Sequence, residues 1–310
     1  MALTPGAAAP PRRRRSIDGA TLLVAGLIYA GWAALTLAAP HMPPLLVAAL
    51  GGWLLAWHGS LQHETIHGHP TPWNWANRLL GAAPLSLWLP YERYRTLHQA
   101  HHATEHLTEP GHDPEARYLA PGAGRFSRLT ARLTSTLIGR LVLGPPVEIA
   151  SFLASEAKAA LAGGPGVREA WGRHLLWAAG IVAWLVGVCG LSLPDYLLLF
   201  VYPGAALSLL RSFAEHRADR EPARRIAVVE RAPILGLLFL NNNLHAAHHA
   251  FPAASWRELP RLYAEHRTEL LKANGGLVYR GYGEVFRRFA LAPHDAVVHP
   301  DLAPAPEVVR

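Results

Sequence analysis

The 310-residue chain has little charge and almost no cysteine: 16% of its residues are Asp, Glu, Lys or Arg, and Cys189 is its one thiol. A disulfide-stapled secreted scaffold is excluded, because that thiol has no partner in the chain. Soluble domains carry about 25% charged residues, so the deficit points to a membrane. Intrinsic disorder is excluded too, since disordered chains are poor in apolar residues and 51% of these are hydrophobic. The net charge of +7 comes from 29 Lys and Arg against 22 Asp and Glu. Those cations sit at Arg12, Arg13, Arg14 and Arg15 and in polar segments between apolar runs, with no aromatic-interleaved patch, so nucleic acid is not an expected partner. Histidine is in excess, with 18 residues very unevenly spread.

Four apolar stretches read as membrane spans: 20–39, 43–57, 173–191 and 195–212. The first carries no charge and, at about 1.5 Å rise per residue, is long enough for a hydrocarbon core of about 30 Å. The connections at 40–42 and 192–194 are short enough to be only hairpin turns, so the expected fold is all-α integral membrane, four spans in two hairpins. The tips hold no Lys or Arg, whereas the N-terminus, the middle segment and the C-terminal region are rich in them. By the positive-inside rule both termini and the middle segment are expected in the cytoplasm. Residues 134–153 contain Arg140, Glu148 and a Pro pair, and a charge at mid-span costs about 2.5–3.5 kcal/mol on insertion scales. They are expected to form an interfacial or buried helix, not a span. A basic tail (1–19), a membrane domain (20–265) and a C-terminal segment (266–310), flexible from Leu291, complete the organisation.

Three histidine boxes follow or border the spans: His63-Glu64-Thr65-Ile66-His67, His98-Gln99-Ala100-His101-His102 and His245-Ala246-Ala247-His248-His249. Residues three and four apart share a helix face, so each box offers two or three imidazoles side by side. At this histidine frequency chance predicts roughly 0.06 copies of HxxHH, and two are present. Imidazole suits Zn, Cu, Fe and Ni, and eight box histidines are too many for one tetrahedral ion. A two-metal site with a cytoplasmic helical cap holding the boxes is the expectation. Glu64, Glu105, Asp113 and Glu215 are candidates to orient the rings by accepting from their second nitrogens. Asn241, Asn242 and Asn243 precede the third box as polar contacts or helix caps.

Box one also matches HExxH, in which two histidines bind zinc and the Glu is general base, so an intramembrane zinc protease is a competing reading. It leaves both HxxHH boxes without a role. A metal-transport or sensing site would instead require ionisable residues inside several spans, and these spans have almost none.

The three boxes with two membrane hairpins resemble the integral-membrane fatty acid desaturase and hydroxylase superfamily. HETIHGHP (63–70), RSFAEHR (211–217) and NNNLHAAHHAFP (241–252) resemble its bacterial desaturase-like branch in wording as well as spacing. The resemblance implies an oxidoreductase with a non-haem centre of two Fe ions, using O2 and two external electrons to attack a C–H bond of a lipid acyl chain. Carried over by position, the ligands are His63, His67, His98, His101, His102, His245, His248 and His249, with His216 as a ninth. Some relatives have Asn one helical turn before that ninth ligand; Ser212 stands there in this chain, which leaves a water-mediated contact without its usual donor. Desaturation of an acyl-lipid or acyl-CoA is the first expectation, and hydroxylation or ketolation of a lipid or carotenoid is the alternative. Electrons would come from a separate ferredoxin or rubredoxin with its reductase, attracted to the basic face. A bacterial inner membrane is the expected location.

Overall fold

The computed structural model describes residues 16–302; the arginine run of the basic tail and residues 303–310 lie outside them. Helix α1 (Gly19–Ala38) starts at Asp18, whose Oδ1 accepts the N–H groups of Ala20 and Thr21 at 3.0 and 3.4 Å, satisfying donors that a helix start leaves free. A proline-bearing turn leads into α2 (Pro44–Ile66), and Pro at the first helical position adds the preset φ that favours initiation. Beyond the end of α2 come α3 (Asn74–Gly81) and α4 (Tyr91–Ala103), then α5 (Arg125–Thr134) and α6 (Leu137–Leu161). The second hairpin is α7 (Val167–Ala183), prolonged by a π-helical turn (Trp184–Val188), and α8 (Leu193–Tyr196), which runs through another π-helical turn (Leu197–Val201) into α9 (Tyr202–Phe213). The remainder holds α10 (Pro233–Leu238), α11 (His245–Ala250), α12 (Leu259–Ala273) and α13 (Tyr282–Phe289). Two short strands, β1 (Val228–Val229) and β2 (Val278–Tyr279), pair in parallel with Val228 opposite Val278.

The all-helical membrane character holds, with that strand pair as the exception among the described residues. Among the described residues five helices, one more than the four expected spans, are long and apolar enough to cross a membrane: Gly19–His41, Pro44–Ile66, Leu137–Leu161, Val167–Val188 and Leu193–Phe213. The addition is α6, expected as an interfacial or buried helix because of Arg140, Glu148 and a proline pair, and longer than the 134–153 stretch read from the sequence. Pro146 has no N–H to give the carbonyl of Val142, but the Tyr202 hydroxyl donates to that carbonyl at 2.7 Å and the helix continues. Helix α2 also outruns its expected end at Trp57. The polar residues His58, Ser60, Gln62, His63 and Glu64 are buried there and none is a helix breaker, so box one lies in the last turns of α2.

The C-terminal segment is a second correction. Residues 294–302, expected to be flexible, are tied down: the Leu119 N–H donates to the Val297 carbonyl at 2.8 Å, Tyr118 Oη donates to Asp295, His299 meets Thr108 Oγ1 at 3.0 Å, and Asp301 pairs with Arg225. Proline and polar residues rule out a helix but not backbone pairing or buried ion pairs, and those hold the segment.

Helices α2 and α9 touch at glycine. A Cβ on Gly204 would lie 2.6 Å from Cβ of Leu55, and one on Gly52 2.7 Å from Cβ of Pro203, so only hydrogen allows this approach, as is common between helices in lipid. Gly26 of α1 has open space instead. Gly204→Ala is expected to cost about 1–3 kcal/mol as overpacking and to lower the thermal unfolding midpoint in detergent, while Gly26→Ala leaves it unchanged or higher. Equal midpoints for the two variants would contradict this packing.

Candidate metal centre

Four pieces of chain bring imidazoles to one place. The end of α2 supplies His63 and its cap residue His67; α4 supplies His98, His101 and His102 from one face; His216 follows α9; and α11 supplies His245, His248 and His249. Helix α11 is aimed by a reversal just before it, where Leu240 and Asn241 take φ of 47° and 56°. Asparagine tolerates that left-handed region, and leucine is strained in it. The reversal is anchored where Asn241 Nδ2 donates to the Trp256 carbonyl at 2.9 Å and Asn243 Nδ2 to the Val229 carbonyl at 2.7 Å.

The nine candidate histidines fall into two groups. His63, His67, His98, His102 and His248 form one; His101, His216, His245 and His249 form the other, with the offered nitrogens in each group within 4.8 Å of one another. Each HxxHH box therefore divides between both groups. Adjacent positions such as His101 and His102 point about 100° apart around a helix, so one turn of helix can serve two centres.

Hydrogen bonds to the outer nitrogens fix which nitrogen faces inward. His98 Nδ1 donates to Glu115 Oε1 and His101 Nδ1 to Asp113 Oδ1, both at 2.8 Å. His216 Nδ1 donates to the Arg225 carbonyl at 3.2 Å, and His245 Nδ1 lies 3.2 Å from Asn242 Oδ1 and 3.4 Å from Glu215. Because these partners accept, the protons sit on Nδ1 and the Nε2 lone pairs converge. His216 Nε2 and His245 Nε2 then face each other at 2.9 Å with no proton between them. His63 Nε2 and His101 Nε2 are buried with no hydrogen-bond partner. Buried, mutually repelling lone pairs are costly unless a cation lies among them. The donor set, all imidazole nitrogen with acceptors behind four of the nine rings, fits borderline transition metals such as iron or zinc.

Burial also keeps most of the rings neutral, the form that binds metal. It pushes His102 down to about 2 and His216 to about 3, reinforced in each case by neighbouring imidazoles, and holds His248 and His249 well below the ordinary range. His101 goes the other way: burial lowers it, but Glu115 and Asp113 outweigh that and bring it up to about 8. Glu115 is partly exposed, and the desolvation it does undergo would raise its carboxyl, yet the facing His101 and His98 hold it well below the usual carboxylate range.

Of the four carboxylates expected behind the rings, two are there. Asp113 accepts from His101 and from the N–H groups of Thr108 and Glu115, and Glu215 is linked to His245 directly and through Asn242. Glu64 instead accepts the N–H of Trp256, and Glu105 is solvent-exposed with no bond to an imidazole. Glu115 and Arg225 stand outside the boxes and carry no signal in the sequence. Glu115 lies in the loop after α4 with no spacing relation to His98; only the fold-back of that loop joins them. Arg225, fully buried, ties Glu109, Asp301 and the carbonyls of Leu107 and Asp219 together while its own carbonyl holds His216. Ser212 donates to the Leu209 carbonyl within its own helix. His69, His106 and His112 stay outside both groups: His69 bonds the Ala253 carbonyl, and His106 bonds Glu109 and lies tilted against His112.

The ring-orienting carboxylates can be separated from the bystander by experiment. Asp113→Ala and Glu115→Ala are expected to weaken metal affinity by about 10–100-fold, read by titration against a competing chelator, whereas Glu105→Ala leaves it unchanged. A loss in Glu105→Ala equal to that in Glu115→Ala would overturn the assignment.

The fatty acid desaturase family model matches residues 38–282, from the end of α1 to the start of α13 and across all nine histidines. No curated protein matches the chain.

Proposed function

Since the chain belongs to the fatty acid desaturase family, we propose that it is an O2-dependent oxidase of lipid acyl chains with two irons, and that it introduces a C=C bond. The observation that carries this reading is the pair of imidazole groups, five and four residues strong, whose lone pairs converge in a buried space. Two irons held there would supply, with O2 and two external electrons, the oxidising power to remove hydrogen from an unactivated methylene. His63, His67, His98, His102 and His248 would hold one ion; His101, His216, His245 and His249 would hold the other. Glu115, Asp113, Glu215 and the Arg225 carbonyl keep the Nδ1 protons of His98, His101, His245 and His216 in place, so the Nε2 of each of these four rings is kept facing inward. The protease reading loses its support on the same geometry. His63 and His67 sit among three further imidazoles, and Glu64 is committed to Trp256.

Four spans and one interfacial helix are the membrane arrangement we favour. Glu156 of α6 accepts two hydrogen bonds from Arg93 of α4, and Glu148 accepts one from Arg117. Those arginines belong to the histidine-bearing cap, so half of α6 lies along the cap at the bilayer surface. The cap and both termini face the cytoplasm of a bacterial inner membrane, where a ferredoxin or rubredoxin and its reductase deliver electrons to the basic face.

Elemental analysis of the purified protein is expected to give close to two irons per chain, with His98→Ala and His216→Ala each reducing that number. Lipids of an expressing host are expected to gain a species lighter by two hydrogens. A product heavier by one oxygen would assign hydroxylation in place of desaturation, and one zinc per chain indifferent to His216→Ala would overturn the di-iron reading altogether.

A further inference from the structure

A groove of about 380 Å³ lies away from the histidines, between α3, the start of α4 and the first turns of α7. Its walls combine two chemistries. On α3, Trp75, Arg78 and Leu79 share a face at i, i+3, i+4 spacing, and on α7, Arg173 and Trp177 share one at i, i+4. The indoles and Leu79 are exposed, at 69% for Trp75, 51% for Trp177 and 57% for Leu79. In a chain that crosses a bilayer, Trp and Arg near the start of a span sit at the level of the head groups; Arg173 opens the expected span 173–191 and Trp177 lies one turn into it, beside the bare Leu175 and Leu176. The groove therefore opens sideways to lipid at head-group depth.

The charge in it is positive. Arg173 is exposed and has no hydrogen-bond or ion-pair partner among the described residues. Among the described residues Arg78 meets only Glu92, at 3.8 Å, and that carboxylate is shared with Arg95 at 3.9 Å. Two guanidiniums on facing walls with one shared carboxylate leave a net cationic site above an apolar floor. We infer that this groove binds a membrane phospholipid of net negative head group, its phosphate between Arg78 and Arg173 and its glycerol end and first methylenes against Trp75, Leu79 and Trp177. Guanidinium matches phosphate in a forked geometry, and the indoles accept the amphipathic boundary of the lipid. A zwitterionic lipid offers the same apolar contacts, but its ammonium offsets the attraction. The inference needs α7 in the bilayer and nothing about chemistry at the histidines, so it stands or falls separately from the proposed reaction.

The test uses the intact protein in phosphatidylcholine vesicles doped with a small fraction of a brominated phospholipid, whose bromines quench nearby indoles. The signal from the groove is the difference between the wild-type protein and Trp75→Phe/Trp177→Phe. Brominated phosphatidylglycerol is expected to quench that difference at about one-fifth the mole fraction that brominated phosphatidylcholine needs, the factor that one net cationic side chain supplies at a membrane surface. Arg78→Gln/Arg173→Gln is expected to bring the two lipids together with metal content intact, and Arg173→Lys to keep most of the preference. Equal quenching by both lipids in the wild-type protein would reduce the groove to an unselective interfacial anchor and overturn the inference. So would a preference that survives the double glutamine substitution.

Discussion

Imidazole lone pairs that face one another in a buried space are the constraint on which the structure depends. His216 and His245 approach to 2.9 Å with their protons on the far nitrogens, and His63 and His101 bring Nε2 inward with no partner. Such an arrangement repels itself without a cation and becomes a ligand cage with one. Nearly every unusual feature of the cap supports it. The carboxylates of Asp113, Glu115 and Glu215 stand behind the rings, the left-handed residues before α11 turn that helix inward, and buried Arg225 joins the loop after α4 to the C-terminal segment.

The membrane helices hold that cage steady. Helix α2 begins in apolar sequence and ends as the carrier of His63, so one rigid element serves as both anchor and ligand donor. Its contact with α9 through Gly52 and Gly204 sets the spacing between the first and second hairpins, and His216 follows only a few residues after α9 ends. Rigidity of this kind is what a converging set of donor nitrogens requires, since a ring that wanders by an ångström leaves the set. The C-terminal segment adds closure from the other side: Asp295, His299 and Asp301 are fastened to Tyr118, Thr108 and Arg225, around the loop that carries Asp113 and Glu115.

The ring-orienting set shows how evenly the work is divided between near and distant sequence. Glu215 is adjacent to His216 in the chain yet serves His245, with Asn242 linking them at 2.8 and 3.2 Å. Asp113 serves His101 across a loop whose turn it also builds by accepting from Thr108 and Glu115. These groups fix the rings and shape the backbone together, so neither role can be changed without the other.

Much of this was legible in the sequence because it is periodic or composition-driven. Apolar runs show membrane helices whatever they pack against, and imidazoles three and four apart share a face on any helix, so the eight box histidines and the two hairpins follow from spacing alone, whereas His216, which no spacing marks, came only from the family resemblance. Partition of the nine histidines into a five and a four could not be read from spacing. It depends on how α2, α4 and α11 cross, which places His101 with His216 and His102 with His248. The fifth long helix, the reach of α2 to Ile66, the fastened C-terminal segment and the pairing of Glu115 with His98 were likewise decided by contacts between distant residues: a tyrosine that satisfies a proline-freed carbonyl, burial that tolerates polar side chains, an arginine with partners far apart in the chain. Local sequence determines what a segment can offer, and tertiary structure determines which other segment is close enough to accept it.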